Sequence, residues 1–204
     1  QEQKETGALY QTLLRDSSFF ALLLRFDQDL AAEERALGCE CGGRLHRGHY
    51  ARKPRGGPPG LGHEHAIRFS FCCGVDGCRR RRTPASLRFL GRRVFFAVVV
   101  LLLPVLREGP TPARLSQLEQ AFAVSRRTLL RWRRWWREAF AQGRVFSAWR
   151  GRFAEPVACG ALPGSLLEVM SAGTGSQQGV LALLALLAPL TSASARSSHE
   201  ICVS

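Results

Sequence analysis

Residues 113–141 read ARLSQLEQAFAVSRRTLLRWRRWWREAFA, and the fold of the whole chain turns on how this stretch is read. Leu115, Leu118 and Phe122 recur at helical spacing and give a first helix one apolar face. Ala123-Val124-Ser125 interrupts the pattern, and Ser125 is suited to N-cap a second helix. In that second helix Leu129, Trp132 and Trp136 form one stripe, while Arg126, Arg127, Arg131 and Arg134 fall largely off it. A helix with an aromatic seam and an opposing guanidinium face can rest on a core while meeting a polyanion.

The rest of the composition points the same way. The 204 residues hold 29 Lys and Arg against 16 Asp and Glu, a net charge of +13. Such an excess calls for a polyanionic partner. Duplex nucleic acid is favoured over a membrane, because no apolar run reaches the roughly 18–20 residues of a spanning helix. All the positive side chains except Lys4 and Lys53 are arginines. That suits bidentate contacts to phosphate and guanine, although GC-rich codon usage alone would produce the same bias. No basic-then-apolar leader is visible, so a cytoplasmic, nucleoid-associated location is the expectation.

Outward from the basic helix, residues 92–107 (RRVFFAVVVLLLPVLR) hold a thirteen-residue apolar run, Val94 to Leu106. As a helix it is apolar nearly all round and therefore buried, with Pro104 kinking its last turn. It would be the first helix of a three-helix unit, joined to the next by Gly109-Pro110-Thr111-Pro112. The β-branched run Val98–Val100 keeps a strand as the alternative.

Residues 38–83 differ in kind, being rich in glycine, cysteine and arginine. Cys39-Glu40-Cys41-Gly42-Gly43 forms one compact knuckle, and Cys72-Cys73-Gly74-Val75-Asp76-Gly77-Cys78 forms a second. Two cysteine knuckles separated by a strand-rich loop are the layout of a zinc ribbon, although the spacing is C-x-C followed by C-x4-C or C-x5-C. The candidate ligands of a structural Zn2+ are Cys39, Cys41, Cys73 and Cys78. In an extended strand Phe69, Phe71 and Cys73 share one face and leave Cys72 on the other. Cys72 remains a substitute ligand, as do His46, His63 and His65. Disulfides are disfavoured, since nothing suggests export. Cys159 and Cys202 read as ordinary core or tail thiols. The loop between the knuckles carries Arg52, Lys53 and Arg55 between glycines and prolines, and could lie along a phosphate backbone or in a minor groove. Arg79, Arg80, Arg81 and Arg82 add a second basic block.

Two resemblances follow from these residues. The stretch AFAVSRRTLLRW resembles the helix-turn-helix of bacterial transposases and regulators, departing at Glu119, where a small residue is usual, and at Ala123, where glycine is usual. The strings CGGRLHRGHYARKPRGG and RFSFCC…GCRRRRTPASLRFLGRR look like a family of small zinc-ribbon plus helix-turn-helix proteins encoded by bacterial transposable elements, over residues 8–150. The resemblance implies DNA binding and an association with transposition rather than with strand cutting. In the helix-turn-helix frame Ser125, Arg126, Arg127, Leu130, Arg131 and Arg134 face the groove. Arg126, Arg127 and Arg131 are candidates for base edges; Arg133, Arg134 and Arg79–Arg82 suit phosphates.

The expected fold is mainly α with a small β zinc ribbon, a three-helix helix-turn-helix unit being flanked by helical N- and C-terminal segments. The expected divisions are a helical arm (1–37), a zinc-ribbon-like basic module (38–91), the three-helix unit (92–150), a C-terminal helical segment (151–190) and a mobile tail (191–204). In the arm, Leu9, Leu13, Phe20, Leu23, Leu24, Leu30 and Leu37 set an apolar face, and Asp27, Asp29, Glu33 and Glu34 cluster towards its end. Further on, Trp149 and Phe153 could close the preceding bundle. Pro163 to Leu187 reads as apolar helix split by Gly173-Thr174-Gly175-Ser176, which lacks the lysine of a phosphate-binding loop.

A metal-dependent nuclease needs converging carboxylates. The aspartates are Asp16, Asp27 and Asp29 on the arm and Asp76 in the second knuckle, so no such site assembles. The expectation is therefore a non-enzymatic DNA-binding accessory protein of a mobile element. Its partners would be double-stranded DNA, a transposase or recombinase, and a second copy in a homodimer. The alternatives are an assembly subunit that docks a transposase or RNA, and a transcriptional regulator.

Overall fold

In the computed structural model of the protein, residues 2–91, 93–106, 116, 120–153 and 156–192 are described. The chain is mostly helical, with small antiparallel sheets, and it divides into two compact units. One comprises residues 2–15 and 98–183, the other residues 16–97 and 184–192. These divisions differ from the expected ones. The N-terminal arm is split after Arg15, and the unit boundaries fall inside two helices, because long-range packing rather than local composition sets them.

In the unit built on residues 16–97, helix α2 (Ser17–Leu37) starts where Asp16 accepts a hydrogen bond from the Ser18 N–H at 2.8 Å. An aspartate at this position satisfies one of the unpaired N–H groups of the first turn. Phe19, Phe20, Leu23, Leu24, Asp27 and Ala31 form its buried face. Strands β1 (Leu45–Arg47), β4 (Phe71–Cys73) and β5 (Arg81–Arg82) make one sheet in the order β1-β4-β5, with Leu45 opposite Cys73. A second pair joins β2 (Tyr50–Ala51) to β3 (Ile67–Arg68). Ala31 of α2 shares a core with Cys39, Leu45, Phe71 and Cys73. The ribbon is therefore built onto the helical arm rather than standing as a separate module.

Asp27 is the main correction to the reading of that arm. It stands apart from the acids with which the sequence groups it: it is fully buried against Arg88, itself fully buried, with Arg88 Nε donating to Asp27 Oδ2 at 2.8 Å. The Ser86 hydroxyl (2.5 Å) and the Leu87 N–H (2.7 Å) complete the carboxylate's shell. The rest of the Arg88 guanidinium donates to the carbonyls of Glu64, His65 and Ile67. Phe69 and Phe89 lie 5.2 and 5.0 Å from its Cζ. A buried ion pair is tolerable only when its remaining donors and acceptors are met, and here most of them are.

The other unit contains α1 (Glu2–Leu13), most of α3 (Ala97–Leu106), α4 (Arg126–Trp135), α5 (Arg144–Arg150), α6 (Gly164–Ser171) and most of α7 (Ser176–Leu187). Helix α3 takes the helical rather than the strand reading. Val98 to Leu103 are all buried, as an all-round apolar helix requires. After α4 the chain makes one π-helical turn, Trp136–Phe140. Trp132, Trp136 and Phe140 are all buried at four-residue steps, and the wider turn takes up the drift such steps accumulate on a 3.6-residue helix. The Phe140 ring packs at a tilt against Phe146, which is fully buried. Phe146 therefore closes this cluster, whereas Trp149 and Phe153 are only half-buried. The expected tail beyond Ser192, with Cys202, and the connector 109–112 lie outside the described residues.

Candidate metal centre and basic helix

The two knuckles bring Cys39, Cys41, Cys73 and Cys78 together, with all four Sγ atoms within 4.8 Å of one another. The Cys39 and Cys78 sulfurs lie 3.7 Å apart, those of Cys41 and Cys73 3.4 Å. Four thiols converging in this way can hold a metal ion. The first knuckle is closed by its own backbone: Cys39 N–H donates to Gly43 O (3.0 Å) and Gly42 N–H to Cys39 O (2.8 Å). Gly43 is required by space, since a Cβ there would stand 2.6 Å from Cys73 Sγ and 2.5 Å from Val75 Cγ2. In the second knuckle the Val75 N–H donates to Cys73 Sγ at 3.4 Å, and Gly77 turns the chain at φ +84°.

The ambiguity over Cys72 is a matter of strand parity. Cys73 is buried and belongs to the cluster, whereas Cys72 turns to the opposite face of β4, beside Gly48. Among the described residues no histidine joins the four cysteines.

The thiols are electrostatically unequal. The Gly43 backbone amide, followed by the three other cysteines, lowers the Cys41 thiol to about 7. At Cys73 the Val75 amide pulls downward but is outweighed by burial and the neighbouring thiols, which push the group up to about 12. Exposed Cys41 is thus held below, and Cys73 and Cys78 above, the ordinary thiol range. Glu40, between the two cysteines of the first knuckle, accepts from Arg80 (2.7 Å) and Arg82 (2.9 Å) and ties the knuckles together on their outer side.

In the other unit, α4 begins at Ser125, whose Oγ accepts from the Thr128 N–H at 3.3 Å. Before it, Ala123 adopts φ +48°, a left-handed conformation uncommon for a residue with a Cβ. This is the position where the resemblance leads one to expect glycine. Of the preceding helix only Ser116, Gln120 and Ala121 are described, all helical; Leu115, Leu118 and Glu119 lie outside the described residues. Ser125, Arg126, Arg127, Leu130, Arg131 and Arg134 are exposed, while Val124, Leu129 and Trp132 are buried. Arg133 is half-buried. Arg134 pairs with Glu138 at 2.7 Å, an exposed i,i+4 contact of the kind that adds little to stability.

Other basic residues divide by what already holds them. Lys53 and Arg55 are exposed. Arg52 is not part of an open basic loop. Its guanidinium donates to the carbonyls of Gly91 and Arg93, both at 2.8 Å, and lies 5.1 Å from the Phe89 ring centre. Half-buried and committed to its own chain, it acts as a structural clamp. In the second basic block Arg79 pairs with Asp76, Arg80 with Glu40, and half-buried Arg82 with Glu40 and Glu34; Arg81 lies over Tyr50 at 5.8 Å. Only Arg79, Arg80 and Arg81 of this block are exposed.

The Asp27–Arg88 pair is what the sequence reading missed. A signal existed: Asp27 sits three residues after Leu24 and four before Ala31, within the apolar stripe of α2, where a solvated acid does not belong. Cys159, half-buried in a short 3-10 turn, is not among the four clustered cysteines. Among the described residues no helix is long and apolar enough to cross a membrane. No family model, curated protein or solved structure matches the chain.

Proposed function

We propose that this protein binds duplex DNA through the exposed face of α4, and that the four-cysteine centre holds a structural zinc ion. The observation that carries the DNA reading is the division of residues 124–134 into a buried apolar side and an exposed side bearing Arg126, Arg127, Arg131 and Arg134. The left-handed Ala123 and the Ser125 N-cap support this reading, since a tight turn precedes the groove-facing helix of a helix-turn-helix. Arg126, Arg127 and Arg131 then address base edges. Arg134 addresses phosphates, and in the other unit Lys53, Arg55, Arg79, Arg80 and Arg81 are separate candidates for phosphate contact.

The donor set fits zinc. Four thiolates around zinc at about 2.3 Å form a tetrahedron with sulfur–sulfur edges of about 3.8 Å; the Cys41–Cys73 and Cys39–Cys78 sulfurs stand at 3.4 and 3.7 Å, and all four lie within 4.8 Å of one another. Four protein ligands leave no open position for a reactive water, so the ion holds the knuckles together and does no chemistry. With no carboxylate cluster in the sequence reading, the protein is a binding protein rather than an enzyme.

The resemblance to proteins of bacterial transposable elements makes element ends the first duplexes to try, and a transposase or recombinase the first partner. A second reading, an assembly subunit, is favoured by Phe26 and Leu37, which α2 leaves 40 % and 81 % exposed. The experiment is selection from random duplexes by the zinc-loaded chain, followed by binding of Arg127→Ala. If Arg127 makes a bidentate guanine contact, the variant loses about 1–3 kcal/mol on the selected site and much less on unrelated duplexes. Recovery of no preferred duplex would overturn the DNA-reading role of α4 and leave the assembly reading.

A further inference from the structure

Helix α4 carries one large apolar side chain on its basic face. Leu130 is 48 % exposed, whereas Leu129 beside it is buried. Arg126 and Arg127 lie one turn before it, Arg134 one turn after, and Arg131 next to it. At 1.5 Å per residue the strip from Arg126 to Arg134 is about 12 Å long, comparable with the width of the major groove. About half of this leucine faces solvent among arginines, and its methyl groups have neither donor nor acceptor. In the major groove, the apolar group offered by a base edge is the 5-methyl of a pyrimidine.

We infer that Leu130 is a specificity-determining residue that reads a pyrimidine 5-methyl group, flanked by arginines that read guanine and phosphate. The inference rests on the duplex-binding role proposed for α4. Thymine and 5-methylcytosine both carry this methyl. In either case the side chain leaves water on binding and covers one methyl-sized group, and the adjacent guanidiniums set the register that brings it there.

The test is a cycle between protein and DNA, using the full zinc-loaded chain and its selected duplex. In one arm each thymine is replaced singly by deoxyuridine, which removes only the methyl. In the other arm each cytosine is replaced by 5-methylcytosine, which adds it. The wild-type protein is expected to respond at one position in one arm, by about fourfold in affinity, the effect of burying one methyl-sized group. Leu130→Ala, a half-exposed substitution expected to shift the thermal midpoint little, is expected not to respond at that position. Loss of the response in the variant identifies the contact. The inference falls if the wild type ignores the methyl everywhere, or if Leu130→Ala and deoxyuridine weaken binding additively. A change of oligomeric state in Leu130→Ala with the methyl response intact also overturns it, by making Leu130 a protein contact. Selection of a duplex with no methyl response removes this inference alone; failure to select any duplex removes the role of α4 as well.

Discussion

The indole N–H of Trp136 donates to the Val100 carbonyl at 3.2 Å, in the place of a donor that Pro104 cannot supply. In a regular helix the N–H of residue 104 would meet the carbonyl of residue 100, but proline has no N–H. The tryptophan therefore satisfies a buried acceptor inside α3, where an orphaned carbonyl would be costly. It also locks the start of the π-helical turn onto that helix, with Trp136 fully buried.

Trp136→Phe keeps the ring but removes the donor, and should destabilise the protein by about 1–3 kcal/mol. Pro104→Ala in the same chain restores a helical N–H to Val100 and should recover much of that loss. Urea midpoints of the two single variants and the double variant check it. Equal loss in Trp136→Phe with and without Pro104→Ala would show that ring packing, not the hydrogen bond, is what matters.

Asp27→Ala leaves the Arg88 guanidinium buried without its counter-ion and should cost about 3–5 kcal/mol. The double variant Asp27→Leu/Arg88→Met removes both charges, the change that often rescues a buried pair. Here it should not restore stability, because Arg88 also satisfies the carbonyls of Glu64, His65 and Ile67. Equilibrium unfolding of the single and double variants decides between these outcomes.

Metal analysis should find about one zinc per chain, as four thiolate ligands per site require. Chelation should open residues 39–78 to protease while most helical signal persists. Cys78→Ser should behave like chelation. Cys72→Ser should leave zinc content unchanged, because that side chain lies across β4 from the cluster. Gly43→Ala should lower zinc affinity, since its Cβ would press on Cys73 Sγ.

In the metal-free protein Cys41, lowered to about 7, should alkylate faster than Cys73 and Cys78 near neutral pH. Its rate should fall as pH drops through about 7, where the thiolate takes up a proton. Zinc should protect it. Mass spectrometry of briefly alkylated protein at several pH values reads the order directly, and uniform labelling of all four cluster thiols would contradict it.

Burial pushes the His65 imidazole below its ordinary range; Glu64 opposes this and Arg88 adds to it. A histidine whose folded pKa is depressed binds its proton more readily when unfolded. Stability is then fully present above the unfolded value of about 6.5 and declines as pH falls from there towards the folded value. His65→Gln should flatten this slope in urea titrations between pH 7 and 5.5. An unchanged slope would mean that the imidazole accepts its proton as easily in the fold as outside it.

The sequence by itself determined the features that local geometry controls. The buried and exposed sides of residues 124–134 follow from a 3.6-residue period with apolar and basic residues out of phase. Ser125 caps α4 because a hydroxyl one residue ahead of a helix reaches its N–H groups. The choice of Cys73 over Cys72 follows from the two-residue period of a strand, even beside a tight turn. Only the tertiary structure decided which distant groups meet. Asp27 and Arg88 are 61 residues apart, and Val100 and Trp136 are 36 apart. Nothing local distinguishes Arg52, turned inward onto two carbonyls, from Lys53, its exposed neighbour. Periodicity is a property of the backbone, whereas partner choice depends on how the chain closes on itself. The division of the N-terminal arm after Arg15 belongs to that second kind, because it records which core each helix covers.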